Sequence, residues 1–268
     1  SGGPIGSTTI DGWSATQVIA NASGGYEVLW SHSSQYGIWK VDASGNFISN
    51  VKAKLWEDEL KFGIDLNGDG DTGLVTIEDN GGVHLKHGDN TYNGAPQYYI
   101  VNGSDAPIGL TSGGPIGSTT IDGWSATQVI VSGDGYEVFW SHSSQYGIWK
   151  VDAAGDFISN VKAKLWQDEL KFGIDINGDG DTGLVTIEDN GGVHLKHGDN
   201  TYNGAPQYYI VNGSDAPIGL TSGGPIGSTT IDGWSATQVI ANASGGYEVL
   251  WSHSSQYGIW KVDASGNF

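Results

Sequence analysis

The chain has 268 residues and is strongly acidic, with 30 Asp and Glu against 11 Lys and Arg and a formal net charge of −19. This charge repels phosphates and anionic lipid headgroups, which argues against nucleic acid and membranes as partners. Cysteine is absent, so disulfides and thiolate metal sites are excluded, and no apolar run is long enough for a membrane-spanning helix.

The main feature of the sequence is an internal repeat. The segment that begins Ser-Gly-Gly-Pro-Ile at Ser1 returns at Ser112 and at Ser222, which gives spacings of 111 and then 110 residues. The residue lost in the second copy comes from a predicted turn, where a deletion disturbs no strand register.

Each copy carries short segments in which β-branched or aromatic residues alternate with polar ones, separated by clusters of Gly, Asn, Asp and Ser. This pattern predicts strands near residues 15–20, 26–31, 36–42, 74–78, 83–87 and 97–102, repeated along the chain. The expected fold is mainly β, a tandem array of antiparallel three-stranded meanders. The pattern leaves open whether five such meanders form a linear array or close into a propeller.

One helix per repeat is expected to interrupt the strands. Residues 51–62 predict a helix that begins after Asn50 as its N-cap. The apolar stripe expected to pack on the sheet consists of Ala53, Trp56, Leu60 and Ile64. The acidic run at residues 57–59 indicates a solvated helix face.

A nine-residue acidic segment, Asp-Leu-Asn-Gly-Asp-Gly-Asp-Thr-Gly, follows the predicted helix at residues 65–73 and recurs with one substitution at 175–183. We call each copy the acidic loop. Oxygen side chains at positions 1, 3 and 5, a glycine at 6 and a backbone carbonyl at 7 match the first half of an EF-hand loop. Hard oxygen ligands favour calcium. The predicted ligands are Asp65, Asn67, Asp69, Asp71, Asp175, Asn177, Asp179 and Asp181.

The EF-hand match is partial, because position 12 is Thr76 and a strand follows in place of a helix. Glu78 or a carboxylate on the preceding helix is a candidate for the missing ligand, whereas Glu57 is less suitable because Gln167 replaces it in the second copy. The alternative is that Asn-Gly and Asp-Gly only form turns. The clustered carboxylates would then repel one another without compensation. We therefore expect one structural calcium ion per loop, locking the corner between helix and strand.

The abundant aromatic residues have two interpretations. Exposed Trp and Tyr rings could stack on sugars, or they could pack across strands. Packing is favoured because Trp30 and Trp39 lie on adjacent strands of one predicted hairpin. His84 and His87 face opposite sides of a strand, which argues against zinc. Since no catalytic motif is present, we expect that the protein is not an enzyme.

Several motifs occur in a fixed order: Gly-Tyr-Glu-Val from Gly25, Gln-Tyr-Gly-Ile-Trp-Lys-Val-Asp from Gln35, Gly-Asn-Phe-Ile-Ser-Asn from Gly45, then Phe62 and the acidic loop. This order resembles the tryptophan-rich C-terminal repeats of large cyanobacterial secreted proteins, a family often found beside hemolysin-type calcium-binding segments. The resemblance covers essentially the whole chain. It implies a partial repeat over 1–73, a complete repeat over 74–183 and a partial repeat over 184–268. It implies calcium, export, and an extracellular or cell-surface location.

The near-identity of the copies is typical of a long tandem array or a polymerising filament. Our expectation is a calcium-stabilised structural repeat segment of a secreted surface adhesin or extracellular fibre, able to self-associate into fibres or a surface layer. The alternative is a carbohydrate-binding, lectin-like module that uses exposed aromatic rings.

Overall fold

A computed structural model describes residues 5–6, 10–51, 55–89, 96–161, 164–199, 206–213 and 215–268. Within these ranges the chain is mainly β, with nineteen strands in small antiparallel sheets and two short helices. Neither helix is long and apolar enough to cross a membrane. The chain forms two compact units, one comprising Ser1–Ser143 with Trp149–Asn160 and the other Ser144–Ile148 with Val161–Phe268.

The first unit contains three sheets and one helix. Sheet 1 runs in chain order through β1 (Ser14–Ala20), β2 (Tyr26–His32), β3 (Gln35–Val41) and β4 (Phe47–Asn50). Helix α1 (Leu55–Phe62) follows, and then sheet 2, with β5 (Val75–Asn80), β6 (Val83–Asp89), β7 (Pro96–Asn102) and β8 (Ile108–Gly109). In sheet 3, β9 (Ser125–Ser132) pairs with β10 (Gly135–His142), and residues 149–151 of β11 (Gln145–Val151) pair with β12 (Phe157–Asn160).

The second unit contains one helix and two sheets. Helix α2 (Leu165–Phe172) precedes sheet 4, with β13 (Val185–Asn190), β14 (Val193–Asp199), β15 (Pro206–Asn212) and β16 (Ile218–Gly219). Sheet 5 contains β17 (Ser235–Ala241), β18 (Tyr247–His253) and β19 (Gln256–Val262). All pairings within these two sheets are antiparallel.

The predicted strands agree with the observed ones within a few residues, but the prediction of three-stranded meanders is wrong for most sheets. In the described part of the chain only sheet 5 has three strands. The added fourth strands are short: β4 has four residues and β8 has two. Segments of this length show no alternating pattern, and backbone pairing with the preceding strand forms them, as in Trp39 opposite Asn50.

The helix differs from the prediction at its start and in its buried face. Asn50 is the last residue of β4 rather than an N-cap, and in α2 the N-cap position is Lys164. Leu60, expected in the core, is 59% exposed, and Ala53 lies outside the described residues. The buried side chains of α1 are Leu55, Asp58, Glu59 and Phe62. The expectation that residues 57–59 form a solvated face is therefore wrong for two of them.

Sheets 2 and 3 share one hydrophobic core and sheets 4 and 5 share a second, related core. The first includes Leu85, Tyr98 and Ile100 from sheet 2 with Val129, Val138 and Trp140 from sheet 3. Sheet 1 instead packs one face on α1, through Leu29, Ile38, Leu55, Phe62 and Leu66. The acidic loop that contains Leu66 is thereby anchored to sheet 1 by its second residue.

Candidate functional site

Each acidic loop lies between a helix and the first strand of a sheet. Gly63 ends α1 with a left-handed φ of 68°, and its N–H donates to the Glu59 carbonyl oxygen at 2.7 Å. The loop then runs over residues 65–73, and β5 begins at Val75. Within the loop, Gly70 has a φ of 96°, a conformation that residues with a Cβ rarely adopt. The glycine at position 6 of the motif is thus required by the backbone.

The side chains at positions 1, 3 and 5 turn back onto the loop backbone. The Asp65 carboxylate accepts hydrogen bonds from the N–H groups of Gly68 (2.6 Å) and Gly70 (3.0 Å). Asn67 Oδ1 accepts from the Asp69 N–H at 2.8 Å, and Asp69 Oδ1 accepts from the Asp71 N–H at 2.9 Å. These bonds bring four of the eight predicted ligand residues into one tight turn.

The second acidic loop has the same geometry. Asp175 accepts from Gly178 at 2.6 Å and from Gly180 at 2.9 Å. The Asp179 N–H donates to Asn177 Oδ1 at 2.8 Å, and the Asp181 N–H donates to Asp179 Oδ1 at 2.9 Å. The local arrangement therefore follows from the shared loop sequence, and it brings the other four predicted ligand residues together.

Backbone donors dominate the electrostatics of Asp65. The N–H groups of Gly68 and then Gly70 hold the pKa of its carboxyl below the ordinary value. Burial raises the pKa of Asp89 at the end of β6, the charge of His87 lowers it, and the charge of Asp69 raises it. The charge of the loop therefore acts on the adjacent strand end.

A buried glutamate that the sequence analysis missed organises the loop. Glu59 of α1 is fully buried, and its Oε1 accepts hydrogen bonds from the N–H groups of Leu66 (3.1 Å) and Asn67 (3.3 Å). Its Oε2 accepts from the Gly73 N–H at 2.9 Å. One side chain thus ties both ends of the acidic loop to the helix. We call it the carboxylate clasp.

The clasp recurs at Glu169, which accepts from Ile176, Asn177 and Gly183 at 3.1, 3.2 and 3.0 Å. Burial raises the pKa of Glu59 and Glu169, against the effect of the three backbone donors. One difference between the two copies is consistent with this role, although it does not single out Glu59. The second copy replaces Glu57 by Gln167 but keeps Glu59 as Glu169.

The structure also places the two candidates for the missing EF-hand ligand. Glu78 is directed to sheet 3, where its carboxylate accepts from the Val129 N–H at 3.4 Å. The helix carboxylate that reaches the loop is Glu59, and it binds backbone N–H groups. Across the described ranges no group of three or more His, Cys, Asp or Glu side chains is arranged to hold a metal ion.

The donor set of the loop nevertheless suits a hard cation. Both Asp65 carboxylate oxygens, Asn67 Oδ1 and Asp69 Oδ1 each accept a backbone N–H. Asp69 Oδ2 accepts from the Asn67 side-chain amide at 2.9 Å, and every carboxylate or amide oxygen has a second lone pair. All the candidate ligands are oxygen atoms, and the residues that carry them are exposed except Asp65, which is half-buried. The residues present therefore fit calcium chemically.

Aromatic side chains form a second candidate site, on sheet 1. A cavity of about 300 Å³ is lined by Ile10, Trp13, Trp30, Gly37, Trp39 and Asn50. The Trp30 and Trp39 rings lie 4.8 Å apart at 47°, so they are tilted rather than coplanar. A related cavity of about 160 Å³ on sheet 5 is lined by Ile231, Trp234, Trp251, Gly258 and Trp260. We call these the aromatic pockets.

The fold and loops define a tryptophan-rich, repeat-containing β-protein with acidic loops at its helix-to-strand corners. The sequence profile of the family described as the tryptophan-rich Synechocystis species C-terminal domain matches residues 1–73 and 91–183, more than half of the chain. The chain belongs to this family. Both matched segments end at the glycine that closes an acidic loop. No comparison links the chain to hemolysin-type calcium-binding segments.

The search of curated proteins found no match. Among solved structures, a prolyl oligopeptidase B from Galerina marginata is 8% identical, with 97% of this chain and 35% of that chain covered and a TM-score of 0.25. An endo-arabinase from Bacteroides thetaiotaomicron is 11% identical, with 91% and 92% covered and a TM-score of 0.20.

A quinonprotein alcohol dehydrogenase-like protein from Bacteroides thetaiotaomicron is 14% identical, with 96% of this chain and 65% of that chain covered and a TM-score of 0.20. The chain thus spans about a third of the oligopeptidase and less than two thirds of this protein. Similarity at these TM-scores carries no conclusion about the fold or function of this chain.

Proposed function

We propose that the chain is a calcium-stabilised structural repeat segment of a secreted surface adhesin or extracellular fibre. The observation that carries this proposal is the acidic loop, which has the same internal hydrogen bonds and the same buried clasp in both copies. In each loop the side chains of Asp65, Asn67 and Asp69, or of Asp175, Asn177 and Asp179, would contribute ligands. Asp71 and Asp181 would contribute at position 7.

The calcium ion would act by screening the repulsion among the loop carboxylates and by fixing the corner between helix and strand. Glu59 already ties the loop to α1 through three hydrogen bonds, so the ion would stabilise a loop that is largely pre-organised. At a free calcium concentration of about one hundred times the dissociation constant, one such site would add about 2.7 kcal/mol. The role is mechanical, and no catalytic step is assigned to any residue.

Thermal unfolding tests this proposal, followed by Trp fluorescence in millimolar calcium and then in excess chelator. We expect calcium to raise the midpoint by roughly 5–10 °C for each occupied site. Asp65→Ala combined with Asp175→Ala should abolish the rise. As the matched control, Asp105→Ala with Asp215→Ala removes the same charge away from the loops and should preserve the calcium effect. If the unfolding midpoint of the original chain is the same in calcium and in chelator, the acidic loops are ordinary turns that bind no calcium.

A carbohydrate-binding module is the second candidate, and the aromatic pockets favour it. Each pocket is lined by a half-buried Trp ring, Trp13 on sheet 1 and Trp234 on sheet 5, on which a sugar could stack. Titration with a glycan panel should then quench Trp fluorescence in the original chain and not in Trp13→Ala. Trp56→Phe, outside the pocket, serves as the control.

A further inference from the structure

Each acidic loop contains an asparagine followed by a glycine, the dipeptide at which asparagine most readily loses its side-chain amide. The pair is Asn67–Gly68 in the first loop and Asn177–Gly178 in the second. Glycine has no Cβ to shield its backbone nitrogen from the preceding side chain, and asparagine counts among the thermolabile residues. The same dipeptide occurs outside the loops at Asn102–Gly103. The chain therefore holds one reactive group in two different environments.

Loss of the amide, or deamidation, proceeds through a cyclic imide. The Gly68 nitrogen gives up its proton to a base in solution and attacks Cγ, the side-chain carbonyl carbon of Asn67. A bond forms between these two atoms, the bond from Cγ to Nδ2 breaks, and Nδ2 takes up a proton and leaves as ammonia. Water then opens the ring at either carbonyl, which gives aspartate or isoaspartate.

The attacking nitrogen of the loop is bound to a carboxylate. The Gly68 N–H donates to Asp65 Oδ1 at 2.6 Å, and the Gly178 N–H donates to Asp175 Oδ1 at the same distance. Removal of the Gly68 proton would place a second negative charge against the Asp65 carboxylate, and like charges at this distance disfavour the ionised form. The first step of deamidation is therefore opposed in both loops.

The loop asparagine is also held at both of its polar side-chain atoms. Asn67 Oδ1 accepts from the Asp69 N–H at 2.8 Å, and Asn67 Nδ2 donates to Asp69 Oδ2 at 2.9 Å. Asn177 is held by Asp179 at the same two distances. Closure of the imide ring requires an eclipsed χ1, so the side chain has to leave any staggered rotamer. The two bonds to the aspartate resist that rotation.

The side chain of Asn102 lacks these restraints. Asn102 is the last residue of β7 and is half-buried, and within the described ranges its side chain makes no hydrogen bond. The following Gly103 N–H donates to a neutral acceptor, the Gly82 carbonyl oxygen, at 2.8 Å. Rotation of the Asn102 side chain toward the Gly103 nitrogen therefore breaks no side-chain bond.

We propose that Asn67 and Asn177 are deamidation sites that the aspartates of each acidic loop protect in the folded chain, so that Asn102 reacts first. The protection preserves the loop. Isoaspartate in place of Asn67 would lengthen the main chain by one carbon, inside a segment whose two ends are bound to Glu59. These restraints are hydrogen bonds of the loop itself and require no calcium ion.

The test follows deamidation of the full chain at mildly alkaline pH in excess chelator, so that no calcium ion contributes. Digestion after lysine and tandem mass spectrometry score Asn67 together with Asn177, and Asn102 together with its counterpart Asn212, because the copies give closely similar peptides. In urea the two pairs should react at comparable rates. In the folded chain the loop pair should react roughly tenfold more slowly, the factor expected from a hydrogen bond to a charged group.

Two variants locate the restraint. Asp65→Ala with Asp175→Ala removes the acceptor of the glycine N–H, and it should speed the loop pair roughly tenfold while Asn102 keeps its rate. Glu59→Gln with Glu169→Gln is the control, because it loosens the loop ends and leaves the bonds to the loop aspartates in place. Its effect on the loop pair should be much smaller. Asn102 is the internal reference for global unfolding in every variant.

A folded original chain whose loop pair reacts as fast as Asn102 would overturn the proposal, and this comparison needs no variant. A loop pair that accelerates as much with the glutamate substitutions as with the aspartate substitutions would also overturn it, since loop mobility would then control the reaction. The calcium effect on the unfolding midpoint is a separate measurement. Its absence would refute the calcium sites and leave the protection of Asn67 and Asn177 standing.

Discussion

The turn over residues 42–46 and the acidic loop both begin with an aspartate that binds the backbone ahead of it. Asp42 accepts from the N–H groups of Ser44 (2.9 Å) and Asn46 (2.8 Å), as Asp65 accepts from Gly68 and Gly70. Hydrogen bonds lower the pKa of both carboxyls. The turn closes a hairpin with one carboxylate, which needs no cation.

The acidic loop also begins with such an aspartate, but it contains further carboxylates and is held by the buried carboxylate clasp. Asp69 and Asp71 follow Asp65 within six residues, and Glu59 holds both loop ends from the helix. A lone aspartate is enough to shape a turn, so the additional charge requires another explanation. The comparison indicates that the clasp shapes the acidic loop, and we attribute the remaining carboxylates to the proposed ion.

The largest expected effect comes from removing the clasp. Glu59→Gln places an amide group where the Gly73 N–H needs an acceptor, and unsatisfied buried groups cost about 1–3 kcal/mol each. We expect the free energy of unfolding to fall by roughly 2–3 kcal/mol, measured by urea denaturation in chelator. Glu169→Gln should have a similar effect, because its three bonds are the same.

The chain offers the control for this change. Glu57→Gln makes the same chemical substitution two residues away, and position 167 of the second copy already carries glutamine. Its effect should stay within about 0.5 kcal/mol, as for most surface substitutions. If Glu59→Gln proves as mild as Glu57→Gln, the clasp does not organise the loop.

A smaller effect should distinguish the role of Asp42 from that of Asp65. In chelator, Asp42→Ala and Asp65→Ala should each lower the unfolding midpoint slightly, because each loses two backbone hydrogen bonds. In calcium, Asp65→Ala alone should reduce the calcium-dependent rise, by about half if the second loop binds equally well. Calorimetry with and without calcium measures both changes. A calcium effect equally sensitive to Asp42→Ala would place the ion elsewhere.

The strands of this protein were predictable because their alternating pattern is strong. The prediction near residues 26–31 matches β2, and the prediction near 97–102 matches β7. The loop turn was predictable too, since only glycine readily adopts the φ of Gly70. Strand β8 could not be predicted, because a segment of two residues is too short to show a hydrophobic pattern.

The burial of Glu59 and the exposure of Val18 could not be predicted from pattern alone. Glu59 reads as a helix-surface residue, and its burial depends on backbone donors that the loop brings to it after folding. Val18 and Val239 have the same sequence neighbours, yet one is exposed and the other is buried. Only the presence of a covering sheet distinguishes them, and no local sequence signal encodes it.

The smallest expected effect concerns the turn over residues 42–46 and its pH dependence. The side-chain amide of Asn46, followed by its backbone N–H, lowers the pKa of Asp42. Since the folded pKa lies below the unfolded value, the ionised group contributes stability above the unfolded pKa. That contribution is lost as the pH falls through the folded pKa.

Asn46→Asp replaces the donating amide by a second carboxylate, the pairing that the second copy carries as Asp152 and Asp156. The pKa of Asp42 should rise, and NMR titration of its side-chain carboxyl measures the change. Ser44→Ala, which matches Ala154, should leave that pKa unchanged, because Ser44 contributes only its backbone N–H. A pKa that stays unchanged with Asn46→Asp would assign the effect to the turn backbone, whose N–H donors both substitutions retain. Asp42 and Asp65 would then owe their lowered pKa values to the same cause, hydrogen bonds from backbone N–H groups.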